Sequence, residues 1–322
     1  MINKDKILEL KNIIEQKLTP LITQDYALLD IPDHDNIGDN FIWEGEISFL
    51  KNIPYQKLYE CSLNFFKQEK IPNNAMILMH GGGNFGDIYP IVNEFRLNII
   101  KNNPNKKILI FPQTVHYKDE KILAENSEII NNHPNLTICV RDQKSYETAT
   151  EHFTNAKVLL LPDMAFCIDL KIFPKNKYTD KTLIMNRMDG EKNLINPLKI
   201  ENSETLDWPT FNTTKEQRFK KIQRNRRLDK IAKAIQKIPL ISKIVDPRYG
   251  LKNRKNRENY IQQGIAFFND YDTIYTTRLH GLILGILMGK KMKILDNNYG
   301  KLQSFYNTWL KNFENVETVN LP

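Results

Sequence analysis

The sequence predicts an α/β protein with two domains, each built on a parallel sheet. Short apolar runs alternate with segments of helical period between residues 26 and 161, and the alternation resumes between residues 183 and 295. Apolar strands that alternate with helices form parallel sheets covered by helices on both faces. The 322 residues, 41% of them hydrophobic, also exceed the usual size of a single core.

The elements of the first half follow one another as strand and helix. The chain opens with a predicted amphipathic helix whose apolar stripe comprises Ile7, Leu10, Ile13, Ile14 and Leu18. Strands are predicted at residues 26–31, 76–80, 107–111, 138–140 and 158–161, with helices at 41–50, 91–100, 121–131 and 145–153. We therefore expect a Rossmann-like domain here.

The second half repeats this pattern less regularly. Strands are predicted at residues 183–186, 274–277 and 293–295, and an apolar helix at 281–288. The polar stretch KIFPKNKYTDK, which contains a proline, separates the halves. We place the domains at residues 1–175 and 176–322, with a basic helical insertion at 215–257 in the second domain.

Composition and charge narrow the class of protein. The formal net charge of +8 favours an anionic partner. No apolar run approaches the roughly 20 residues that span a bilayer, and the N-terminal residues lack the apolar core of a signal peptide, so we expect a cytoplasmic protein. Three widely spaced cysteines, Cys61, Cys139 and Cys167, indicate neither a disulfide framework nor a zinc site.

The basic segment from Arg218 to Arg257 predicts a surface contact. Lysines and arginines there surround an apolar set at helical spacing, namely Ile222, Leu228, Ile231, Ala234, Ile235 and Ile238. That profile is typical of an interfacial helix on anionic lipid. The alternative is a solvated helix that packs one stripe on its own domain. We expect no nucleic acid as partner, because aromatic residues are sparse and no nucleic-acid-binding signature accompanies the segment.

The stretch HGGGNFGD, His80 to Asp87, places four of the 13 glycines within six positions. Its Asn-apolar-Gly-Asp ending also occurs at Asn36 to Asp39. No acid follows the next strand to bind a ribose, no G-x-S-x-G supplies a nucleophile, and no Walker A sequence exists. The glycines allow backbone N–H groups to approach an anion or a sugar. The alternative is that Asp39 and Asp87 are helix N-caps.

A second polar turn, Arg278-Leu279-His280, joins a strand to the apolar helix. Arginine and histidine at such a junction can converge with the helix N-terminus on phosphate or carboxylate. Arg141 occupies the corresponding strand end in the first half. The alternative is structural: a buried acid as partner of Arg278, and Asp142 or another nearby acid as partner of Arg141.

Together these stretches resemble the polysaccharide pyruvyl transferase family. The resemblance rests on NIGDNFIWEGE (36–46), HGGGNFGD (80–87), FPQT (111–114), VRD (140–142), PDMAF (162–166) and RLHG (278–281). It implies a GT-B-like fold, in which two Rossmann-like domains face a central cleft. It also implies phosphoenolpyruvate as donor, and as acceptor a sugar of an exopolysaccharide, capsule or cell-wall glycan, or its polyprenyl-linked oligosaccharide precursor at the inner face of the plasma membrane. The product would be a pyruvate ketal.

The resemblance implies donor contacts for Arg278, His280 and Arg141. To these we add Leu279, Gly82, Gly83 and Asn84 as donor-binding residues, and we expect acceptor contacts from Asn36, Asp39, His80, Asp87 and Gln113. His280 is the first choice for proton transfer because the ordinary pKa of histidine lies near neutral pH, and Asp39 and Asp87 are the alternatives. We expect neither a metal nor a resident cofactor.

Two other functions remain open from the sequence. One is a GT-B glycosyltransferase that uses a sugar nucleotide, and the other is a non-enzymatic glycan-binding protein of the same fold. Both would share the two-domain cleft. The glycosyltransferase would consume a sugar nucleotide, whereas the binding protein would turn over neither donor.

Overall fold

Two parallel sheets organise the protein, which we describe from a computed structural model covering residues 3–175, 177–187, 200–252, 256–295 and 300–319. The elements of the first half are α1 (Lys4–Leu18), β1 (Tyr26–Leu29), α2 (Ile37–Leu50), β2 (Lys57–Cys61), β3 (Met76–Met79), β4 (Gly82–Gly86), α3 (Pro90–Asn102), β5 (Ile108–His116), α4 (Glu120–Asn131), β6 (Leu136–Val140), α5 (Gln143–His152) and β7 (Lys157–Leu160). The first sheet has the order β2-β1-β3-β5-β6-β7, and β4 pairs with the second part of β5.

The second sheet has five strands in the order β12-β11-β10-β8-β9. Its elements are β8 (Thr182–Met185), β9 (Ser203–Leu206), α6 (Lys215–Ile235), α7 (Asn256–Asn269), β10 (Thr273–Thr276), α8 (Leu279–Leu287), β11 (Lys291–Ile294), α9 (Lys301–Phe305) and β12 (Val316–Thr318). Every pairing recorded in both sheets is parallel. The predicted α/β class with two parallel sheets is therefore confirmed.

The central strands of the first sheet are buried on both faces. In β3, for example, Leu78 belongs to one apolar cluster and its neighbour Ile77 to another on the opposite face. Side chains alternate between faces along a strand, so two clusters imply helices on both sides. The continuous apolar runs that predicted these strands follow from this double burial.

Helix α2 joins the two halves. Its Trp43 and Phe41 are buried in a cluster that continues into the second sheet through Leu183 and Met185. On α7, a Cβ at Gly264 would lie 2.8 Å from the side chain of Ile37, so the missing side chain lets the two helices approach closely. Residues just before and at the start of α2 are thereby held next to both sheets.

The sequence analysis did not predict β2, β9, α7, α9 and β12, and two further elements differ from the form predicted for them. Helix α2 begins at Ile37, four residues earlier than the apolar pattern indicates, because the side chain of Asn36 caps it by accepting from the N–H of Gly38 at 3.0 Å. The glycine run expected as a loop contains strand β4. Its Gly86 has φ of 126°, and a Cβ there would lie 1.9 Å from the carbonyl oxygen of His116, so only glycine fits against β5.

The structure also locates two other features of the sequence, the predicted domain boundary and the basic insertion. The predicted boundary after residue 175 falls between β7 and β8, and residue 176 lies outside the described residues. The insertion forms α6 and the turns after it; residues 253–255 lie outside the described residues, and Arg257 already belongs to α7. Among the helices that the structure describes, none has the length and apolar character needed to cross a bilayer.

Candidate active site

A pocket of roughly 400 Å³ is lined by side chains from both halves of the chain. We call it the donor pocket because it contains Arg141, Arg278 and His280, for which the sequence resemblance implies donor contacts. Its cationic groups are Arg141, Arg187 and Arg278, and His280 lies among them. The remaining lining residues are His34, Asp35, Asn36, Asp39, Gly83, Asn84, Tyr89, Val92, Trp208, Phe211, Leu279 and Leu302. A volume of this size suits a small molecule.

The three arginines share one structural origin. Arg141 directly follows β6, while Arg187 and Arg278 each come two residues after a strand, β8 and β10 respectively. Because the strands are parallel, their carboxyl ends lie at one edge of each sheet, which is where open α/β sheets bind ligands. The fold therefore brings three arginines from two sheets to one pocket.

Two buried carboxylates each hold one of these arginines in place. Nη1 of Arg141 lies 2.6 Å from Oδ2 of Asp163, and Nε of Arg141 donates to the hydroxyl of Thr114 at 2.9 Å. Arg278 forms a two-pronged pair with Asp207, through Nε at 2.5 Å and Nη2 at 2.6 Å. Both acids are fully buried. Such pairs fix the orientation of a guanidinium before any ligand arrives.

The aromatic ring of Phe211 also contacts Arg278, in addition to the ion pair with Asp207. The guanidinium carbon lies 5.1 Å from the ring centroid, and Phe211 itself lines the donor pocket. Arginine stacks on aromatic faces in this way because its planar cation is attracted to the π system. The side chain of Arg278 is thus fixed by both an acid and a ring.

His280 has partners for two protonation states. Its Nε2 lies 3.3 Å from Nη1 of Arg141 and 3.5 Å from Oδ2 of Asp163. In the neutral ring Nε2 can accept from the arginine, whereas in the protonated ring it can donate to the carboxylate. On its other side the ring packs against α2, where a Cβ at Gly38 would lie 2.5 Å from Nδ1. The first Asn-apolar-Gly-Asp stretch therefore makes room for His280.

The carboxylate of Asp163 stays ionised. Burial alone would raise its pKa, but the hydrogen bond from His280 and the charge of Arg141 outweigh burial and hold the pKa of Asp163 well below its usual range. A permanent negative charge therefore lies 3.5 Å from Nε2 of His280. This arrangement suits a group that carries a proton to or from a ligand.

A second pocket of roughly 380 Å³ adjoins the first, and we call it the acceptor pocket because it contains Asp39 and His80, for which acceptor contacts are expected from the sequence. The two share His34, Asp39, Asn84, Tyr89 and Val92. The acceptor pocket adds acids rather than arginines, and its further lining residues are Asp30, Ile31, Pro32, Asp33, Leu63, Asn64, His80, Ile88, Pro90 and Ile91. A cationic pocket and an acidic pocket thus meet at one shared wall.

Asp39 lies on the shared wall and has two neighbours. Its Oδ2 accepts from the amide of Asn36 at 2.8 Å and lies 3.5 Å from Nε2 of His34. The sequence analysis did not select His34, although it lies two residues before the quoted stretch NIGDNFIWEGE. The pair of His34 and Asp39 faces both pockets and is a second candidate for proton transfer.

Behind the acceptor pocket lies a buried pair of Glu46 and His80. Nδ1 of His80 is 2.9 Å from Oε2 of Glu46, whose Oε1 accepts from the N–H of Gly81 at 2.8 Å. Burial lowers the pKa of His80, but the charge of Glu46 outweighs it and raises the pKa overall. The expected acceptor contact from His80 is compatible with this position, since the residue lines the acceptor pocket.

Three residues selected from the sequence lie outside both pockets. Oδ2 of Asp87 accepts from the backbone N–H groups of Lys118 and Asp119 at 2.6 and 2.8 Å, so it braces the chain before α4. Gln113 is buried, and its amide donates to the carbonyl of His80 at 2.6 Å. Gly82 opens β4 without lining either pocket, whereas its neighbours Gly83 and Asn84 line the donor pocket.

The structural alternatives considered for these motifs need correction. Neither Asp39 nor Asp87 is an N-cap: Asn36 caps α2, and Asp87 bonds to the chain before α4. Of the acids considered as partners of Arg141, Asp142 caps α5 instead, by accepting from the N–H of Ser145 at 2.9 Å. Another nearby acid, Asp163, is the partner that this alternative required. Arg278 does have the buried acid that the alternative required, and it lines the donor pocket as well.

Sequence reasoning missed Arg187, Asp207 and the supporting role of Asp163. The available signal is position: Arg187 follows β8, Asp207 directly follows β9, and Asp163 comes shortly after β7.

Within the described ranges there is no cluster of three or more His, Cys, Asp or Glu side chains that could hold a metal ion.

Comparison with known proteins gives a consistent result. Residues 36–299 match the family described as "Polysaccharide pyruvyl transferase". The chain is 32% identical over 314 residues to EpsO of Bacillus subtilis (strain 168), named as a candidate pyruvyl transferase, covering 95% of this chain and 93% of EpsO. It is 28% identical over 297 residues to Pyruvyl transferase 1 of Schizosaccharomyces pombe (strain 972 / ATCC 24843), covering 88% of this chain and 69% of that protein.

A solved structure shares the fold. The crystal structure of a functionally uncharacterised protein of Klebsiella pneumoniae subsp. pneumoniae NTUH-K2044 superposes with a TM-score of 0.62 at 19% identity, covering 97% of this chain and 98% of that one.

Proposed function

The chain belongs to the polysaccharide pyruvyl transferase family, and on that premise we propose that it transfers pyruvate from phosphoenolpyruvate to a sugar, forming a pyruvate ketal. The acceptor in this proposal is a sugar of an exopolysaccharide, capsule or cell-wall glycan, or of its polyprenyl-linked precursor. The two sheets would act as the two halves of a GT-B-like enzyme, with the donor pocket between them and the acceptor pocket in the first half. Phosphoenolpyruvate is the co-substrate, and the reaction needs no resident cofactor.

The observation that carries this proposal is the set of three arginines in the donor pocket. Phosphoenolpyruvate carries a carboxylate and a phosphate ester on the same carbon, C2, and arginine binds either group through two parallel hydrogen bonds. Arg141, Arg187 and Arg278 offer more cationic groups than a neutral sugar would need. The same groups stabilise the charge that develops on the departing phosphate.

The reaction consists of steps that the pocket can support. A proton is added to the methylene carbon of the donor, which becomes a methyl group, and a sugar hydroxyl attacks C2. Inorganic phosphate then leaves, and a second hydroxyl attacks C2 to close the ketal ring. One hydroxyl proton balances the proton taken up by carbon, and the other leaves with phosphate.

In this proposal His280 supplies the proton to the methylene carbon, and Asp39 accepts a proton from the attacking hydroxyl. His280 lies beside the arginines, with its Nε2 3.5 Å from the ionised carboxylate of Asp163. Asp39 lies on the wall shared by the two pockets, with His34 able to take the proton onward. An acid on the donor side and a base on the acceptor side match the two proton transfers.

The acceptor pocket suits a neutral sugar. Carboxylates and amides accept hydrogen bonds from hydroxyl groups, and Asp33, Asp39 and Asn64 line it together with the ring of Tyr89. The arginines that an anionic donor needs line the other pocket, whereas Asp30 and Asp33 here are paired with Arg96 and Lys252. This supports acceptor roles for Asp39 and His80, and Asn36 supports them indirectly by holding Asp39.

The test is to incubate the protein with phosphoenolpyruvate and a panel of galactosyl, glucosyl and N-acetylmannosaminyl acceptors. We expect phosphate release that depends on the acceptor, together with a product whose mass has gained one pyruvate less one water. Release of a nucleoside diphosphate from a sugar nucleotide instead would identify a glycosyltransferase. Glycan binding with turnover of neither donor would identify a binding protein.

A further inference from the structure

The segment from Lys215 to Ile244, here called the basic arm, exposes large apolar side chains to solvent. It comprises α6 and the turn after it. In the turn, Leu240 is 94% exposed, and Ile238, Ile241 and Ile244 are exposed beside it. On the helix Phe219, Ile222 and Ile231 are also exposed. Clustered exposed apolar groups of this size mark a contact surface rather than ordinary surface scatter.

The same arm carries a dense set of exposed cations. These are Lys220, Arg224, Arg226, Arg227, Lys230, Lys233, Lys237 and Lys243. The two acids of α6 are already engaged: Asp229 lies 3.3 Å from Lys252, and Glu216 lies 2.6 Å from Lys220. The surface that α6 turns to solvent is therefore strongly positive.

The inner side of the arm is fixed to the rest of the protein. Ala232 is buried with Phe65 and Val245, and Ile235 packs against that cluster. Lys67 donates to the carbonyl of Gln236 at 3.1 Å. The apolar set noted in the sequence is thus divided: Leu228 and Ile235 are half-buried, whereas Ile222, Ile231 and Ile238 are exposed.

The arm begins at the mouth of the donor pocket. Lys221 pairs with Asp35 at 2.7 Å, and the guanidinium of Arg218 lies 6.0 Å from the ring centroid of Phe211. Asp35 and Phe211 both line that pocket. A surface that touched the outer side of the arm would therefore lie next to the pocket.

We propose that the basic arm binds an anionic lipid surface, with the turn around Leu240 inserted among the lipids and the cations of α6 at the headgroups. The protruding aliphatic side chains are complementary to the acyl chains of a bilayer, and the surrounding cations are complementary to its anionic headgroups. A single-stranded nucleic acid would be bound through stacking aromatics, and Phe219 is the one aromatic residue within the arm. A duplex would contact the cations but would leave the protruding aliphatic side chains without an apolar partner. The proposal does not depend on pyruvyl transfer.

The experiment measures sedimentation of the full chain with two kinds of vesicle, phosphatidylcholine alone and phosphatidylcholine mixed with phosphatidylglycerol. We expect binding to the mixed vesicles that weakens as salt is added. Changing Arg224, Arg226 and Arg227 to Glu should lower the partition coefficient by about a hundredfold or more, from the usual contribution of each cation near an anionic leaflet. A matched control changes the exposed Lys70, Lys101 and Lys121 to Glu and should retain binding.

The apolar contribution is tested separately. Leu240→Ser combined with Ile241→Ser should weaken vesicle binding at constant charge, whereas Leu8→Ser, at a 52% exposed position on α1, should not. The proposal is overturned if the unchanged protein ignores the mixed vesicles at low salt. It is also overturned if the serine changes leave vesicle binding intact, or if they break up a lipid-free oligomer, which would make the arm a contact between copies of the chain.

Discussion

Replacing Arg278 with lysine should weaken the use of phosphoenolpyruvate while leaving the protein folded. The lysine keeps a positive charge opposite the buried Asp207 but lacks the planar fork that now makes two bonds at 2.5 and 2.6 Å. A charge-assisted hydrogen bond contributes about 1.5 to 3 kcal/mol, so kcat/KM for phosphoenolpyruvate should fall by about tenfold to a few hundredfold. Arg278→Ala would leave the buried carboxylate of Asp207 without its cationic partner, which should lower the free energy of unfolding by about 3 to 5 kcal/mol.

The assay for Arg278→Lys follows phosphate release at saturating acceptor, with urea unfolding of the same preparation. Arg248 provides the matched control, because it forms a similar two-pronged pair with Asp246, at 3.1 Å through both Nε and Nη2, and lines neither pocket. Arg248→Lys should leave the kinetics unchanged. A folded Arg278→Lys variant with unaltered kcat/KM would refute the donor-binding role.

Three further predictions concern the surroundings of Arg278. His280→Gln should lower kcat more than it raises KM for phosphoenolpyruvate in steady-state kinetics; an equal change in both would make His280 a binding residue. Gly38→Ala places a Cβ 2.5 Å from Nδ1 of His280, so turnover should fall while circular dichroism stays unchanged; full activity would show that the ring need not pack there. Because the folded-state pKa of Asp163 is depressed, its contribution to stability is present above the unfolded value of 3.8 and is lost as pH falls through the folded value. In Asp163→Asn, the free energy of unfolding should therefore fall less steeply as the pH is lowered below 3.8 than it does in the unchanged protein. An equally steep fall in both proteins would show that this carboxylate does not cause the loss of stability in acid.

Much of the fold could be predicted because burial leaves a direct mark on the sequence. Strands such as β3 are buried on both faces and appear as unbroken apolar runs. Strand β9, with the sequence SETL, lies at the sheet edge with no buried residue and leaves no such mark. Strand β4 was missed for another reason: its extended form depends on pairing with β5, which a glycine-rich run does not signal.

The site was predictable where chemistry and position coincide. Arg141, Arg278 and His280 combine a strand end with a side chain suited to anions, and the structure brings all three to one pocket. Asp87 has the same local sequence as Asp39 but follows a strand rather than opening a helix, so its carboxylate meets backbone N–H groups. Such differences arise from tertiary contacts, which a repeated local pattern does not contain.

The most direct test of the central claim is a crystal structure of the protein with phosphoenolpyruvate. We predict that the carboxylate and phosphate oxygens lie within hydrogen-bonding distance of Arg141, Arg187 and Arg278, with the methylene carbon facing His280. Phosphoenolpyruvate bound away from these arginines, or a donor pocket still empty at concentrations that support turnover, would contradict the account.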